Sequence, residues 1–464
     1  MLARTLECRL SLGLQLRAIG KLMFVNVRHE RENRPVERKR QGAHKHGRTP
    51  RSDWSRNLFL FDRLFRLLIR AGPLTVIGAD GRVRTYGIDS RDVRPVTIRF
   101  TDHATPRRIA RNPAMGAGEA YMDGRLIVED GDIRAFLDLI GHNLRWDADN
   151  PVRARLWRPQ RIAAALDTWN WERRAKRNAA HHYDLSARLY DLFLDADRQY
   201  SCAYFTAPDT PLDQAQQDKK AHIAAKLDLR PGQKVLDIGC GWGGMALYLN
   251  RVADVDVLGI TLSEEQLRIA RRRAADAGVG DRVRFELLDY RQVTGRFDRI
   301  VSVGMFEHVG PPHYGTFFAK CRDLLAPDGV MLLHTIGRAD GPGATDPWLA
   351  KYIFPGGYVP ALSQIMPAVE RSFLWATDIE ALRLHYAFTT AAWYERVTAH
   401  EAAITALYDA RFFRMWQFYL AGAIAAFRHD GHLVYQIQLA RRRDAVPITR
   451  TYIEREEERF RGMG

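Results

Sequence analysis

The segment Val235-Leu-Asp-Ile-Gly239-Cys-Gly241-Trp-Gly243-Gly244 runs an apolar stretch into a glycine-rich turn. Glycine lets a backbone approach a ligand closely and adopt φ angles closed to other residues. A helix beginning at such a turn presents unpaired N–H groups. Gly239, Gly241 and Gly244 also satisfy the G-x-G-x-x-G spacing of dinucleotide sites. A dinucleotide site needs an acid about 20 residues further on, to hold the ribose 2′-hydroxyl. Here the next predicted strand ends Gly259-Ile-Thr261-Leu-Ser263, without an acid, and the acid comes one strand later, in Asp289-Tyr290. Two ionisable groups follow in the chain at strand ends. Glu307 lies just past one predicted strand, and His334 ends another. Each residue also has an ordinary role open to it. Asp237 could cap the turn, Glu307 could be a surface acid, and His334 could be a satisfied core histidine. The position of Glu307 behind a buried strand favours a site role, while the residues alone leave His334 open.

The elements that must position these groups alternate from about residue 178 onward. Strands are predicted at 234–238, 255–260, 283–288, 299–303 and 330–336, with helices at 213–228, 243–252 and 263–277 between them. This alternation implies an α/β domain, residues 178–464, with a mostly parallel sheet and helices on both faces. Carboxyl ends of parallel strands share one rim, so the glycine loop, Glu307 and His334 fall on the same edge. Late helices carry Trp393 and Phe412 to Phe427, and 432–440 reads as a final strand. Ahead of this domain, residues 54–143 read as a small α+β domain. Leu58, Phe61, Leu64, Phe65 and Leu68 recur at helical spacing, with arginines interleaved. A hairpin is predicted around Ala79-Asp80-Gly81, a strand at 96–100 and a short helix at 132–140, and the glycines of 116–124 suit tight turns. Residues 144–177, rich in Arg and Trp, form linker helices. Residues 1–53 are a basic, flexible extension, unless the true start lies downstream.

Hydrophobic residues make up 46% of the 464, enough to bury large cores and to exclude wholesale disorder. A net charge of +15 favours a polyanionic partner, nucleic acid or anionic membrane. No basic helix-turn-helix or aromatic RNA-binding pattern is present, which argues against nucleic acid. The four cysteines have neither zinc nor disulfide spacing, so no metal is expected, and a reducing cytoplasm is. No apolar run approaches the roughly 20 residues that span a bilayer. Work on lipid would be done peripherally, from the surface.

Further motifs complete the pattern: His182-Tyr-Asp-Leu185, Tyr200-Ser-Cys-Ala-Tyr-Phe205, Val301-Ser-Val-Gly-Met-Phe-Glu-His-Val309, Leu332-Leu-His-Thr-Ile-Gly337, Asp346-Pro-Trp348 and Lys351-Tyr-Ile-Phe-Pro-Gly356. In this order they resemble the cyclopropane-fatty-acyl-phospholipid synthases and, more distantly, the mycolic acid cyclopropane synthases. The match covers about 178–440 and continues weakly through 118–124. The resemblance implies a Rossmann-like methyltransferase domain that uses S-adenosylmethionine (SAM). Its contacts would come from Tyr200, Ser201, Asp237, Gly239, Gly241, Gly243, Thr261, Leu262, Gln266, Asp289 and Tyr290. It implies a substrate too: an unsaturated phospholipid chain in an anionic membrane at the cytoplasmic face. A homodimer is compatible with the family. The alkene would attack the sulfonium methyl, leaving a carbocation that aromatic faces stabilise, and loss of a proton would close the ring. A bound bicarbonate would be the base. Residue-wise matching places Cys202, Glu307, His334, Ile336 and Tyr386 around it, with His385 the alternative to Tyr386. Glu307 would be protonated there or would orient a donor. Cys240 reads as structural, and His182, Tyr183 and Asp184 as a lid or a hold on the linker. One departure is Ala423, where family members often carry a cysteine. The chemistry needs no thiolate, so activity is still expected.

Overall fold

The structure, a computed structural model, describes residues 53–147 and 186–463. The basic extension, most of the linker and the His182-Tyr183-Asp184 motif lie outside them. The described residues form one compact unit containing two sheets.

The smaller sheet has the order β2-β1-β3-β4, from β1 (Leu74–Ile77), β2 (Val83–Tyr86), β3 (Val96–Phe100) and β4 (Leu126–Asp130). The helix Asp53–Leu68 packs Phe61 and Phe65 against Tyr86, and Phe61 edge-on to Phe100 at 5.3 Å. The expected hairpin is β1–β2, paired antiparallel from Leu74↔Tyr86 to Ile77↔Val83. The turn expected across 116–124 is instead mostly helix, Pro113–Met122. Gly118 serves close packing there: a Cβ would lie 2.5 Å from Trp348 Cδ1. Only Gly124, with φ +68°, makes a turn. This helix and Ile133–Asn143 pack on the long helix Ala410–His429. Polar ties cross the same contact, Tyr121 Oη donating to Gln417 Oε1 at 3.0 Å and Arg414 Nε to the Met122 carbonyl at 2.8 Å.

The larger sheet contains β5 (Lys234–Ile238), β6 (Asp256–Thr261), β7 (Val283–Leu287), β8 (Phe297–Val303), β9 (Leu325–Arg338), β10 (Trp375–Leu382) and β11 (His432–Ala440). Its order is β10-β11-β9-β8-β5-β6-β7. The run β9-β8-β5-β6-β7 is parallel, and β11 and β10 add antiparallel at one edge. Successive side chains alternate between faces. Val235 and Leu332 join one apolar core, while Leu236, Ile238, Met331 and Leu333 join the other. The sheet is therefore covered on both sides, as the alternating pattern requires. β10 was not legible from the sequence because it is an edge strand, with most of its side chains exposed or half-buried. β9 is longer than expected. It pairs with β8 only as far as His334 and runs on beside β11 to Arg338.

Candidate active site

An open cavity of about 1350 Å³, solvent at its mouth included, lies over the carboxyl ends of β5, β6, β7 and β8. Tyr200, Ser201, Asp237, Gly239, Gly241, Thr261, Leu262, Gln266, Asp289 and Tyr290 all line it. Gly243 does not, which corrects its expected place at the cavity wall. Its φ is +84°, and a Cβ would sit 2.7 Å from Phe285 Cζ, so this glycine is demanded by the turn and by packing. Gly244 begins the following helix, Gly244–Ala253, where a Cβ would come within 2.5 Å of Asp197 Oδ2 and Gln199 Nε2. Its bareness lets the loop before Tyr200 close over the glycine turn. Asp197 fastens that loop through Lys220 at 2.6 Å and through Arg273, whose Nη1 also donates to the Trp242 carbonyl at 2.9 Å.

Around the cavity, Thr261 Oγ1 donates to Gln266 Oε1 at 2.9 Å, and Ser263 caps the helix Glu264–Asp276 through the Gln266 N–H. Asp289 accepts a forked pair of bonds from Arg291, at 2.8 and 2.6 Å. Asp237 is 2% exposed and its Oδ2 has no hydrogen-bond partner, so capping the turn does not satisfy that atom. Burial pushes its carboxyl up to about 7, against the pull of the Lys219 charge. Asp197, Gln199, Trp242, Met305 and His308 also line the cavity without having been singled out in the sequence. The signal for Gln199 was its place immediately before Tyr200-Ser201.

Behind the cavity lies a second group. Glu307 follows β8 in a short 3₁₀ turn and accepts a 2.6 Å bond on Oε1 from the Ile336 N–H of β9. Its Oε2 is buried without a partner. Burial pushes this carboxyl up to about 7, opposed by the Ile336 bond. His334 is 2% exposed, and burial holds its imidazole well below the ordinary range, so it is neutral. Gln436 Nε2 lies 3.2 Å from His334 Nδ1. With the amide donating, Nδ1 is the acceptor and Nε2 carries the proton.

Cys202 is 1% exposed, its Sγ lies 3.3 Å from the Ala203 carbonyl, and burial pushes its thiol up. The thiol keeps its proton there. Cys240 in the glycine turn is likewise buried with its thiol pushed up. Tyr386 is buried between Phe427 (4.7 Å) and Trp393 (5.8 Å), and Trp393 stacks on Tyr200 at 5.2 Å. His385 is engaged elsewhere: its Nδ1 accepts from the Phe205 N–H at 2.9 Å, and its ring stacks on Tyr204. Of these neighbours, Tyr386 is the one that joins the aromatic wall shared with Tyr200. Ala423 lies half-buried on the helix Ala410–His429. Among the described residues no group of side chains could hold a metal.

A seven-stranded α/β sheet with a glycine loop after the strand β5 and an acid after β7 defines the SAM-dependent methyltransferase fold. The sequence profile of the mycolic acid cyclopropane synthetase family matches residues 171–437. The chain belongs to that family. It is 40% identical over 356 residues to a cyclopropane-fatty-acyl-phospholipid synthase of Escherichia coli, covering 76% of this chain and 90% of that protein. It is 36% identical over 403 residues to a tuberculostearic acid methyltransferase of Mycobacterium tuberculosis, covering 82% and 90%. The crystal structure of a mycolic acid cyclopropane synthase complexed with SAH and CTAB superposes with a TM-score of 0.54 at 34% identity, over 57% of this chain and 98% of that one.

Proposed function

We propose that this protein transfers a methylene unit from SAM to the cis double bond of an unsaturated phospholipid acyl chain, forming a cyclopropane ring. The observation that carries the reading is the juxtaposition at one rim: the glycine-loop cavity in front, and the buried Glu307–Ile336–His334 group behind it. Likeness to the E. coli synthase supports the phospholipid substrate. When bound, SAM supplies an electrophilic methyl. Asp237, Thr261, Gln266 and Asp289 hold and orient it, with Tyr200 and Ser201 closing one wall.

Proton removal follows methyl transfer. The donor set behind the cavity suits a small anion: a partnerless carboxyl oxygen on Glu307 and a neutral imidazole with Nε2–H to give, which the Tyr386 hydroxyl would complete if the family resemblance holds at that position. A bicarbonate held by Cys202, Glu307, His334, Ile336 and Tyr386 would supply a base there. Glu307, pushed toward 7, is protonated for much of the time at neutral pH and so donates to an anion instead of repelling it. The aromatic wall of Tyr200, Trp393 and Tyr386 faces positive charge developing on the acyl chain. No thiolate takes part, so Ala423 leaves the reaction intact. The lipid is met at a peripheral, anionic surface on the cytoplasmic side, consistent with the basic charge. No described helix is long and apolar enough to cross a membrane.

The likeness to the tuberculostearic acid methyltransferase favours one second reading, a methyl-branched product. Purified protein with SAM and vesicles of cis-unsaturated phospholipid separates the two by mass spectrometry and proton NMR. A gain of CH₂ with cyclopropyl protons is expected. A gain of CH₂ plus two hydrogens selects the branched product. No mass change, with SAM still bound, overturns the phospholipid reading.

A further inference from the structure

Lys219 projects from the helix Leu212–Lys226 and is completely buried. Its Nζ donates to Gln199 Oε1 at 2.6 Å and to Ser201 Oγ at 2.8 Å. Both partners are neutral, and both line the cofactor cavity. Other buried cations nearby are matched by carboxylates: Lys220 by Asp197 at 2.6 Å, and Lys226 by Glu380 and, at 3.6 Å, Asp378. Among the described residues no carboxylate lies within ion-pair distance of Lys219, although Asp195, Asp197 and Asp237 feel its field at longer range. The same field reaches Cys202 and His334.

A buried anion is costly unless a charge or several hydrogen bonds compensate it. The residues proposed to hold an anion here are neutral or close to it: a thiol with its proton, an uncharged imidazole, a phenol and a carboxyl pushed up by burial. Positive charge would pass from the sulfonium to the acyl chain at methyl transfer and be gone once the proton is lost, so neither is a lasting counter-charge for an anion; a fixed cation would be. We infer that Lys219 is the counter-charge that retains the catalytic anion. The inference rests on the bicarbonate reading above.

The test compares wild type, Lys219→Met and Lys219→Arg in buffers stripped of carbon dioxide and titrated with sodium bicarbonate. Two quantities are read: the bicarbonate concentration giving half-maximal turnover, and the bicarbonate-dependent rise in melting temperature of the SAH-bound protein over matched sodium chloride. SAH affinity is measured alongside by calorimetry. Lys219→Met is expected to raise the half-saturating concentration about tenfold or more, and to abolish the melting shift, while SAH affinity changes far less. Lys219→Arg restores part of both. A wild type whose turnover ignores bicarbonate overturns the base reading and this inference together. A bicarbonate-dependent wild type whose Met variant keeps the same half-saturation and melting shift overturns this inference alone. So does a loss of SAH affinity in step with the loss of turnover, which marks a purely structural lysine. Should the Met variant fail to fold, Lys219→Gln takes its place with the same outcomes.

Discussion

Glu307→Gln separates the stability of this protein from its chemistry. Burial raises the Glu307 carboxyl from its ordinary 4.5 to about 7. The folded protein therefore holds this proton more tightly than the unfolded chain does. Its contribution to stability is fully present below 4.5 and is lost as pH rises to 7, because ionising the carboxyl is harder in the folded state. At 1.36 kcal/mol per pH unit, the penalty is about 0.8 kcal/mol at pH 5 and about 3.3 kcal/mol at pH 8. Glutamine keeps the shape and the acceptor for the Ile336 N–H, and it has no proton to lose. Between pH 5 and pH 8, the variant should thus gain about 2.5 kcal/mol on the wild type. Asp237, raised in the same direction, contributes equally to both proteins and cancels. Urea unfolding of the two proteins at both pH values measures the difference, and the product assay should show no cyclopropane from the variant. An equal stability difference at pH 5 and pH 8 would refute the buried, proton-holding glutamate. Retained turnover would remove Glu307 from the reaction.

Asp237→Asn should weaken SAH binding about tenfold at pH 8, above the value near 7 where the carboxyl ionises, through loss of a charged acceptor, and unchanged affinity by calorimetry at that pH would take Asp237 out of the cofactor site. Gln436→Leu leaves His334 Nδ1 without its partner and the tautomer unfixed. Turnover should fall about tenfold with SAH affinity intact, and a rate equal to wild type would show that the amide does not set the imidazole. Gly118→Ala drives a methyl into the Trp348 indole and should cost about 1–3 kcal/mol in urea unfolding; an unshifted midpoint would mean the indole moves freely.

Much of the larger sheet was legible because its strands are short apolar runs punctuated by glycine and polar turns. The segments 234–238 and 432–440 coincide with β5 and β11, and the cofactor turn follows directly from one of them. Where expectation failed, the cause was tertiary. Gly116 and Gly118 look like turn formers, but they lie in a helix because the Trp348 ring and the backbone near Ile109 come too close for a side chain. β10 carries half-exposed residues without a clean alternation, so only its pairing with β11 makes it a strand. The reach of β9 past its parallel neighbour, which brings Ile336 to Glu307, depends on β11 rather than on its own residues.

Charge is where the sequence is least readable. The run Gln216-Gln-Asp-Lys-Lys220 looks like a solvated helix face, yet Gln216, Asp218, Lys219 and Lys220 are all buried. The helix Leu212–Lys226 is closed off by different neighbours around its circumference: the C-terminal helix Thr451–Arg461, the loop 199–203 and the helix Gly244–Ala253. Each of its buried polar residues has a partner well removed in sequence. His222 meets Glu457 at 2.8 Å and Glu380 at 2.7 Å, Asp218 meets Arg461 at 3.1 Å, and Lys219 meets Ser201. A pattern rule that sorts residues into inside and outside by polarity must fail on such a helix, because what is buried there is a set of pairs. Among the described charged residues of this helix, Lys219 is the one whose hydrogen-bond partners are neutral. That departure, invisible in the sequence, singles it out from the lysine beside it as the cation with charge to spare for a ligand.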